Sequence, residues 1–270
     1  MSLSLGRWLL RFVLGCTLTA SAAAAQQADD DFINADRPGI ADGSTTVGLH
    51  HFEIEAGIQV EYRHEGAEHD RTAFIPTLLR YGIADRWELR LEGNTVNWFA
   101  QSEPANGTKH ASGIAPTSIG LKYDFLDASE IERPSVGTIL RIFPPSGSGD
   151  FGTRAVTGDF RLAADWNFAD HWSLNPNVGL GVYEDGSSKI YHTALFATTL
   201  NFNPTKTVNL FIDTGVQTRE EKHGEPSVTV DAGGAYIIGH NVQLDLSIGT
   251  GAAGTTPPHP FVSAGFSERF

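Results

Sequence analysis

Twelve stretches of the chain alternate apolar and polar residues, and this pattern constrains the fold more than any other feature. In the clearest stretch, every second residue from Phe52 to Tyr62 is apolar or aromatic, and the residues between them are glycine or polar. A period of two predicts an extended strand with one apolar and one polar face. Strands of about 9–11 residues that recur an even number of times are typical of a transmembrane β-barrel, in which one face contacts lipid and the other a polar lumen.

The connections between the predicted strands alternate in length. Those after even strands are mostly short, at 82–86, 126–134, 169–171, 203–206 and 239–241. Those after odd strands are longer and rich in glycine, proline and charge, and they include 64–71, 97–116 and 250–260. Short periplasmic turns and long outer loops are typical of bacterial barrels, so we predict that both termini face the periplasm.

The alternation alone does not say which face of the sheet points inward, since soluble β-sandwiches and lipocalin-like barrels also alternate. Aromatic residues such as Tyr81, Trp87 and Trp172 cluster beside the short turns, where a membrane-interface girdle would lie, and the chain ends with Phe270. These features favour an all-β transmembrane antiparallel barrel of about twelve strands in the bacterial outer membrane. Such a barrel would contact lipid and lipopolysaccharide, and we expect a monomer.

The N-terminus has the layout of a signal peptide at residues 1–25. Arg7 and Arg11 precede an apolar run that ends in small residues before Gln26. Residues 26–48 show no alternation, and 49–270 form the predicted barrel. The N-terminal segment is either a plug that enters the periplasmic mouth, with Arg37 paired to a lumen carboxylate such as Glu88, or a disordered periplasmic tail.

Removal of residues 1–25 leaves 17 basic and 32 acidic residues, a formal charge of −15, and no cysteine. Binding to nucleic acid needs clustered lysine and arginine, so this composition argues against a nucleic-acid partner. The absence of cysteine excludes disulfides. No stretch after residue 25 is long and apolar enough to predict a membrane helix.

The polar face of the predicted strands defines the candidate site. Strands two to six carry basic and acidic residues on this face, whereas strands nine to eleven carry only Asp213, Asp231 and Asp245, which we expect near mid-barrel on one wall. Opposed walls of this kind would select polar or zwitterionic solutes, although the same charges could also form a salt-bridged filling. The predicted pore-lining residues are Glu53, Glu55, Arg80, Glu88, Arg90, Lys122, Arg141, Asp159, Arg161, Asp213, Asp231 and Asp245.

The sequence contains no convincing catalytic or metal-binding pattern. His171 and Ser173 have the spacing of an outer-membrane hydrolase, but His171 falls at a predicted periplasmic turn and Ser173 faces the predicted lumen. The other histidines lack the spacing of a metal site, with a surface ion site between His64 and His69 as a weak alternative. We therefore expect no enzyme activity, no metal and no cofactor.

Four segments carry a family resemblance: Ala-Asp-Arg-Pro-Gly at 35–39, Glu-Ala-Gly at 55–57, the stretch 76–90 and Gly-Leu-Lys-Tyr at 120–123. They resemble the outer-membrane transporter family called the putative MetA-pathway of phenol degradation family. The resemblance implies transport of small organic, often aromatic or hydrophobic, molecules. The terminal Phe270 resembles the signal that the outer-membrane assembly machinery reads.

The sequence therefore predicts a passive outer-membrane channel for small organic solutes. The alternative that remains open is a closed structural or adhesive barrel that acts through its extracellular loops.

Overall fold

A computed structural model describes residues 32–65, 67–103, 107–128, 133–254 and 257–270. The predicted signal peptide, with Cys16, and residues 26–31 of the predicted N-terminal segment lie outside these ranges. Within them, no helix is long and apolar enough to cross a membrane.

Thirteen strands in the described ranges form one antiparallel sheet that closes on itself, because each strand pairs with its neighbours and β13 returns to β1. One short 3-10 helix, Gly149–Phe151, lies between β6 and β7. The strands are β1 Phe52–Glu65, β2 Glu68–Ala84, β3 Trp87–Glu103, β4 Gly107–Gly113, β5 Ser118–Leu126, β6 Ser135–Phe143, β7 Thr157–Ala169, β8 Trp172–Glu184, β9 Ile190–Thr205, β10 Val208–Gln217, β11 Ser227–Ile238, β12 Val242–Ala253 and β13 Phe261–Arg269.

The barrel has twelve strand positions, because β4 and β5 share one position beside β3. Residues 87–92 of β3 pair with β5, and residues 97–103 pair with β4. The predicted all-β barrel of about twelve strands is confirmed.

Three of the predicted long connections, 64–71, 97–116 and 250–260, are wrong in part, and in the last of them β12 continues to Ala253. Residues 64–71 were expected to form a loop, yet β1 and β2 pair as far as Glu65 and Glu68. Residues 97–116 contain the end of β3 and the whole of β4. The strand segments in the first two of these connections carry polar residues on both faces, so they lack the period-two pattern from which strands were predicted.

The outer face of the barrel is apolar and the inner face is polar. In β12, Leu246 and Ile248 are 58% and 60% exposed, whereas Asp245 and Ser247 are 7% and 2% exposed. A soluble barrel has the opposite arrangement. A continuous apolar outer surface of this kind matches contact with lipid hydrocarbon.

The short turns and the C-terminus lie at one end of the barrel, which we call the short-turn end. The Phe52 and Phe270 backbones hydrogen-bond in both directions, at 3.2 and 2.7 Å. Aromatic rings surround this end on the outer surface, including the stacked pair of Trp87 and Tyr123 with centroids 4.4 Å apart. The opposite end carries the connections 144–156, 185–189 and 218–226, and we call it the long-loop end.

An arginine placed at two depths on the outer surface of the barrel tests whether the apolar face of the strands contacts lipid. Ile212 lies in the middle of β10 and Ile238 ends β11 beside a short turn, and both are exposed. An arginine at the bilayer midplane costs about 2–4 kcal/mol, and one near the interface costs about 0–1 kcal/mol. We expect Ile212→Arg to lower the free energy of unfolding in lipid vesicles by the larger amount, measured by denaturant titration, and Ile238→Arg by the smaller amount. Equal losses would contradict this orientation.

Candidate functional site

Residues 32–51, which we call the inner segment, run through the barrel lumen before β1. At one end the Ile33 amide donates to the carbonyl oxygen of His240 in the turn between β11 and β12, at 2.7 Å. At the other end the His50 amide donates to the carbonyl oxygen of Gly82 at the end of β2, at 2.8 Å. Both ends of the inner segment therefore lie at the short-turn end of the barrel.

Asp36 of the inner segment faces the wall formed by β3 and β5. Its carboxylate accepts a hydrogen bond from Arg90 Nη1 at 2.7 Å and lies 3.3 Å from Lys122 Nζ. The side chains of Arg90 and Lys122 are fully buried. Burial opposes ionisation of Asp36, but the positive charges of Lys122, Arg80 and Arg90 outweigh it and hold the pKa of this carboxyl well below its usual value.

Asp42 lies beside arginines of β3, β6 and β7, which belong with β2 and β5 to what we call the basic wall. Its carboxylate oxygens are 2.9 Å from Arg161 Nη1, 3.3 Å from Arg90 Nη2 and 3.5 Å from Arg141 Nη2. Burial would raise the pKa of Asp42, but the guanidinium groups, Arg141 foremost, lower it below its usual value. The inner segment thus places two ionised carboxylates against the basic side of the lumen.

Arg37 faces β12 and β13 on the opposite side of the lumen, where Asp213, Asp231 and Asp245 of β10–β12 form what we call the acidic wall. Its Nη2 lies 2.9 Å from Asp245 Oδ1 and donates to Ser263 Oγ at 3.1 Å. Glycines make room for the guanidinium, because a Cβ at Gly57 or Gly265 would lie only 2.6 or 2.4 Å from Arg37 Nη2. The inner segment therefore carries a positive charge toward the acidic wall and negative charges toward the basic wall.

Arg37 pairs with a lumen carboxylate, as predicted, but the suggested partner Glu88 is wrong. Both carboxylate oxygens of Glu88 accept hydrogen bonds from Arg80, at 2.9 and 3.0 Å. The Val47 amide donates to the same carboxylate at 2.9 Å. Glu88 is thus already paired within the wall, and Asp245 binds Arg37 instead.

Wall side chains also bind the backbone of the inner segment. The Ile40 amide donates to Asp213 Oδ2 at 2.6 Å, and the Asp42 amide donates to Asn177 Oδ1 at 2.9 Å. The Ser44 amide donates to Asp165 Oδ2 at 2.7 Å. A segment without regular secondary structure must satisfy its buried amides in this way, so these contacts hold it against the wall.

Two ion-pair clusters, one buried and one partly exposed, stabilise the basic wall itself. Arg80 lies 3.0 Å from Glu53, 3.2 Å from Glu55 and 2.9 Å from Glu88, and so joins β1, β2 and β3. The second cluster joins β3, β6 and β7, with Arg141 Nη1 2.9 Å from Glu92, Arg141 Nε 3.1 Å from Asp159, and Arg161 Nε 3.4 Å from Asp159.

The three acids of the opposite wall do not share one level, contrary to the expectation from the sequence. Asp213 and Asp231 are direct cross-strand partners. Asp245 pairs with Ala235, four residues nearer the short-turn end than Asp231. That offset is roughly 13 Å along the strand. Counting residues along each strand does not predict this offset, because neighbouring strands of a barrel are staggered.

The inner segment divides the space inside the barrel. A cavity of about 430 Å³ opens toward the short-turn end, and cavities of about 450 and 620 Å³ open toward the long-loop end. Pro38 and Gly39 line all three cavities. The segment therefore forms the partition between the two mouths.

All predicted pore-lining residues lie on the inner side of the wall, and whether they border a solute path stays a prediction. Sequence reasoning missed Asp36, Asp42, Asn175 and Asn177. The two aspartates lie in a segment without periodicity, so no pattern assigned them to the lumen. Of the predicted pore-lining residues, Arg161 is half-buried. The other eleven are buried: Glu53, Glu55, Arg80, Glu88, Arg90, Lys122, Arg141, Asp159, Asp213, Asp231 and Asp245.

The described residues contain no group of three or more histidine, cysteine, aspartate or glutamate side chains arranged to hold a metal ion. His64 and His69, from the weak surface-ion alternative, lie with their Nδ1 atoms 2.6 Å apart at the exposed ends of β1 and β2.

The model of the family described as "Putative MetA-pathway of phenol degradation" matches residues 35–270. This range begins at the inner segment and includes the whole barrel. No curated protein is significantly similar to the chain in sequence.

Solved structures share the fold at low sequence identity. An outer membrane channel from Pseudomonas putida F1 is 12% identical with a TM-score of 0.66, over 86% of this chain and 99% of that one. The translocator domain of the autotransporter NalP from Neisseria meningitidis is 13% identical with a TM-score of 0.53, over 83% and 89%. The β domain of the Bordetella autotransporter BrkA is 12% identical with a TM-score of 0.51, over 81% and 98%. The fold is therefore that of outer-membrane β-barrels.

Neutralising Asp42 tests how the inner segment is held. Removing one partner of a buried ion pair costs about 3–5 kcal/mol, and each 1.4 kcal/mol is a tenfold change in an equilibrium. In a Cys16→Ser background, the buried Ala41 is replaced by cysteine as a probe. We expect Asp42→Asn to raise the rate of maleimide labelling at this cysteine at least tenfold.

The matched control is Asp185→Asn, which neutralises an exposed carboxylate in the β8–β9 connection. It should leave the labelling rate unchanged. Equal labelling in the Asp42→Asn and Asp185→Asn proteins would show that the ion pairs do not hold the segment.

Proposed function

The chain belongs to the putative MetA-pathway of phenol degradation family, and we propose that it acts as a passive outer-membrane channel for small organic molecules. The protein has no covalent step to perform in this role. Its lumen offers a polar route through a barrel whose outside is apolar.

The observation that carries this proposal is the set of open cavities on both sides of the inner segment. They have volumes of about 430, 450 and 620 Å³, so side chains do not fill the lumen at either mouth. A barrel that served only as a rigid support would have no need of such space. Cavities of this size accommodate small organic molecules.

In this proposal the inner segment is a plug that restricts the channel at its centre. Its two ends are fixed by backbone hydrogen bonds at the short-turn end. Between them, it contacts the wall through side-chain hydrogen bonds and ion pairs, as at Arg37, Ile40 and Asp42. Water and solute groups can replace such contacts. A shift of the segment would connect the cavities without any change in the barrel.

The orientation and partners follow from the same proposal. The termini and short turns face the periplasm, and the long-loop end faces the exterior. Lipid and lipopolysaccharide surround the barrel, the assembly machinery reads the terminal Phe270, and the protein works as a monomer.

The second candidate is a closed structural or adhesive barrel. The observation that favours it is the central partition, where the inner segment meets both walls through buried ion pairs. The hairpin of β3 and β4 at the long-loop end would then supply an extracellular contact surface.

An engineered disulfide distinguishes the two candidates. A Cβ at Gly215 would lie 3.9 Å from Ile40 Cβ, within the range of about 3.5–4.5 Å that disulfides require. In a Cys16→Ser background, we expect the Ile40→Cys/Gly215→Cys protein to conduct a cation-selective current in planar bilayers when reduced. The current should fall at least tenfold on oxidation, because the segment is then tied to β10.

The single variant Ile40→Cys is the control, and oxidant should not change its current. Equal currents in the oxidised and reduced double variant would contradict movement of the inner segment. If no current is seen in the oxidised protein, in the reduced protein or after deletion of residues 32–47, the closed barrel is favoured.

A further inference from the structure

Asp231 is a buried carboxylate for which the described part of the chain provides no positive partner. It is 6% exposed, and its Oδ1 has no hydrogen-bond donor among the described residues. Its cross-strand neighbour Asp213 accepts hydrogen bonds from neutral groups of the described residues, including Thr199 Oγ1 at 2.7 Å and the Ile40 amide at 2.6 Å. A buried charge without a partner is costly, so this position favours binding of a cation.

A second buried polar group faces the same space. Ser247 is 2% exposed, and its Oγ has no hydrogen-bond partner among the described residues. It lies on β12, two residues from Gly249, the cross-strand partner of Asp231. Asp231 and Ser247 both line the cavity of about 620 Å³ at the long-loop end. Together they provide an anionic acceptor and a hydroxyl for one ligand group.

The charges around this cavity favour a cation over an anion. Its lining includes the carboxylates of Glu61, Glu184, Glu220 and Asp231, but only one guanidinium, that of Arg161. Arg161 is already paired with carboxylates of the basic wall and the inner segment. A cavity of one charge sign concentrates ions of the opposite sign.

The rest of the lining combines uncharged polar residues, such as Gln59 and Gln217, with an apolar and aromatic surface. The rings of Tyr183 and Tyr191 have centroids 6.0 Å apart, and Phe261, Leu195 and Ile40 complete this surface. Aromatic faces attract organic cations and accommodate an apolar body. The cavity is also far larger than a bare metal ion needs.

We propose that this cavity is a binding site for an organic cation, with an ammonium or amidinium group on a small apolar or aromatic body. The charged group binds the Asp231 carboxylate and Ser247 Oγ, and the body packs against Phe261, which lies beside Asp231 at Gly249. This inference rests on the proposed channel function and names the solute class that the long-loop mouth selects.

Three probes of the same shape test the charge requirement. Benzylammonium, benzyl alcohol and benzoate are titrated against the full-length protein in detergent micelles and in empty micelles, with binding followed by calorimetry. We expect saturable binding of benzylammonium at least tenfold tighter than that of benzyl alcohol, and no saturable binding of benzoate. Equal binding of the ammonium and the alcohol would overturn the proposal.

Variants locate the site. Asp231→Asn should weaken benzylammonium binding at least tenfold, and Ser247→Ala should weaken it several-fold. Asp170→Asn, in the short turn between β7 and β8, should have no effect. If Asp231→Asn does not fold, Ser247→Ala and the wild-type probe series still decide the outcome. Benzylammonium binding that neither folded variant weakens would place the ligand elsewhere and overturn the proposal.

Conductance separates this inference from the channel proposal. A protein that conducts potassium chloride but does not prefer benzylammonium is a channel without this site. A protein that binds benzylammonium at Asp231 but conducts no ions, even without residues 32–47, has the site but is not a channel.

Discussion

Charge pairing inside the lumen is the constraint on which the rest of the structure depends. A charge that leaves water must find an opposite charge and hydrogen bonds in the protein. Arg80 meets this requirement with Glu53, Glu55 and Glu88, which come from β1 and β3 on either side of its own strand. Because these side chains must meet at one level, their pairing also favours one register of the three strands over its alternatives.

The inner segment completes the pairing that the wall leaves unfinished. Lys122 forms an ion pair only with Asp36 within the described ranges, and Asp245 forms one only with Arg37. The segment is therefore an internal counterion for both walls. Buried ion pairs add little net stability compared with apolar packing, yet breaking one is costly. This combination suits a partition that stays in place until water or solute replaces its contacts.

Asp231 is a lumen acid that no cation of the described residues pairs with. The acidic wall binds the inner segment through Asp213 and Asp245, but the segment brings only one cation, Arg37, and that cation lies near the short-turn end. The long-loop side of the wall keeps an acid without a protein partner. The requirement for charge pairing thus accounts for both the inner segment at the centre of the lumen and the anionic cavity at the long-loop end.

The sequence alone predicted an all-β barrel of about twelve strands and the polar face of each predicted strand, because a period of two is a local property that side-chain order records. It missed β4 and the ends of β2 and β3, where both faces are polar and the period disappears. Only the tertiary structure decided that Arg37 meets Asp245, that Asp36 and Asp42 meet the basic wall, and that Asp231 lies level with Asp213 and not with Asp245. These contacts depend on strand stagger and on the path of an irregular segment, and neither leaves a repeating pattern in the order of residues.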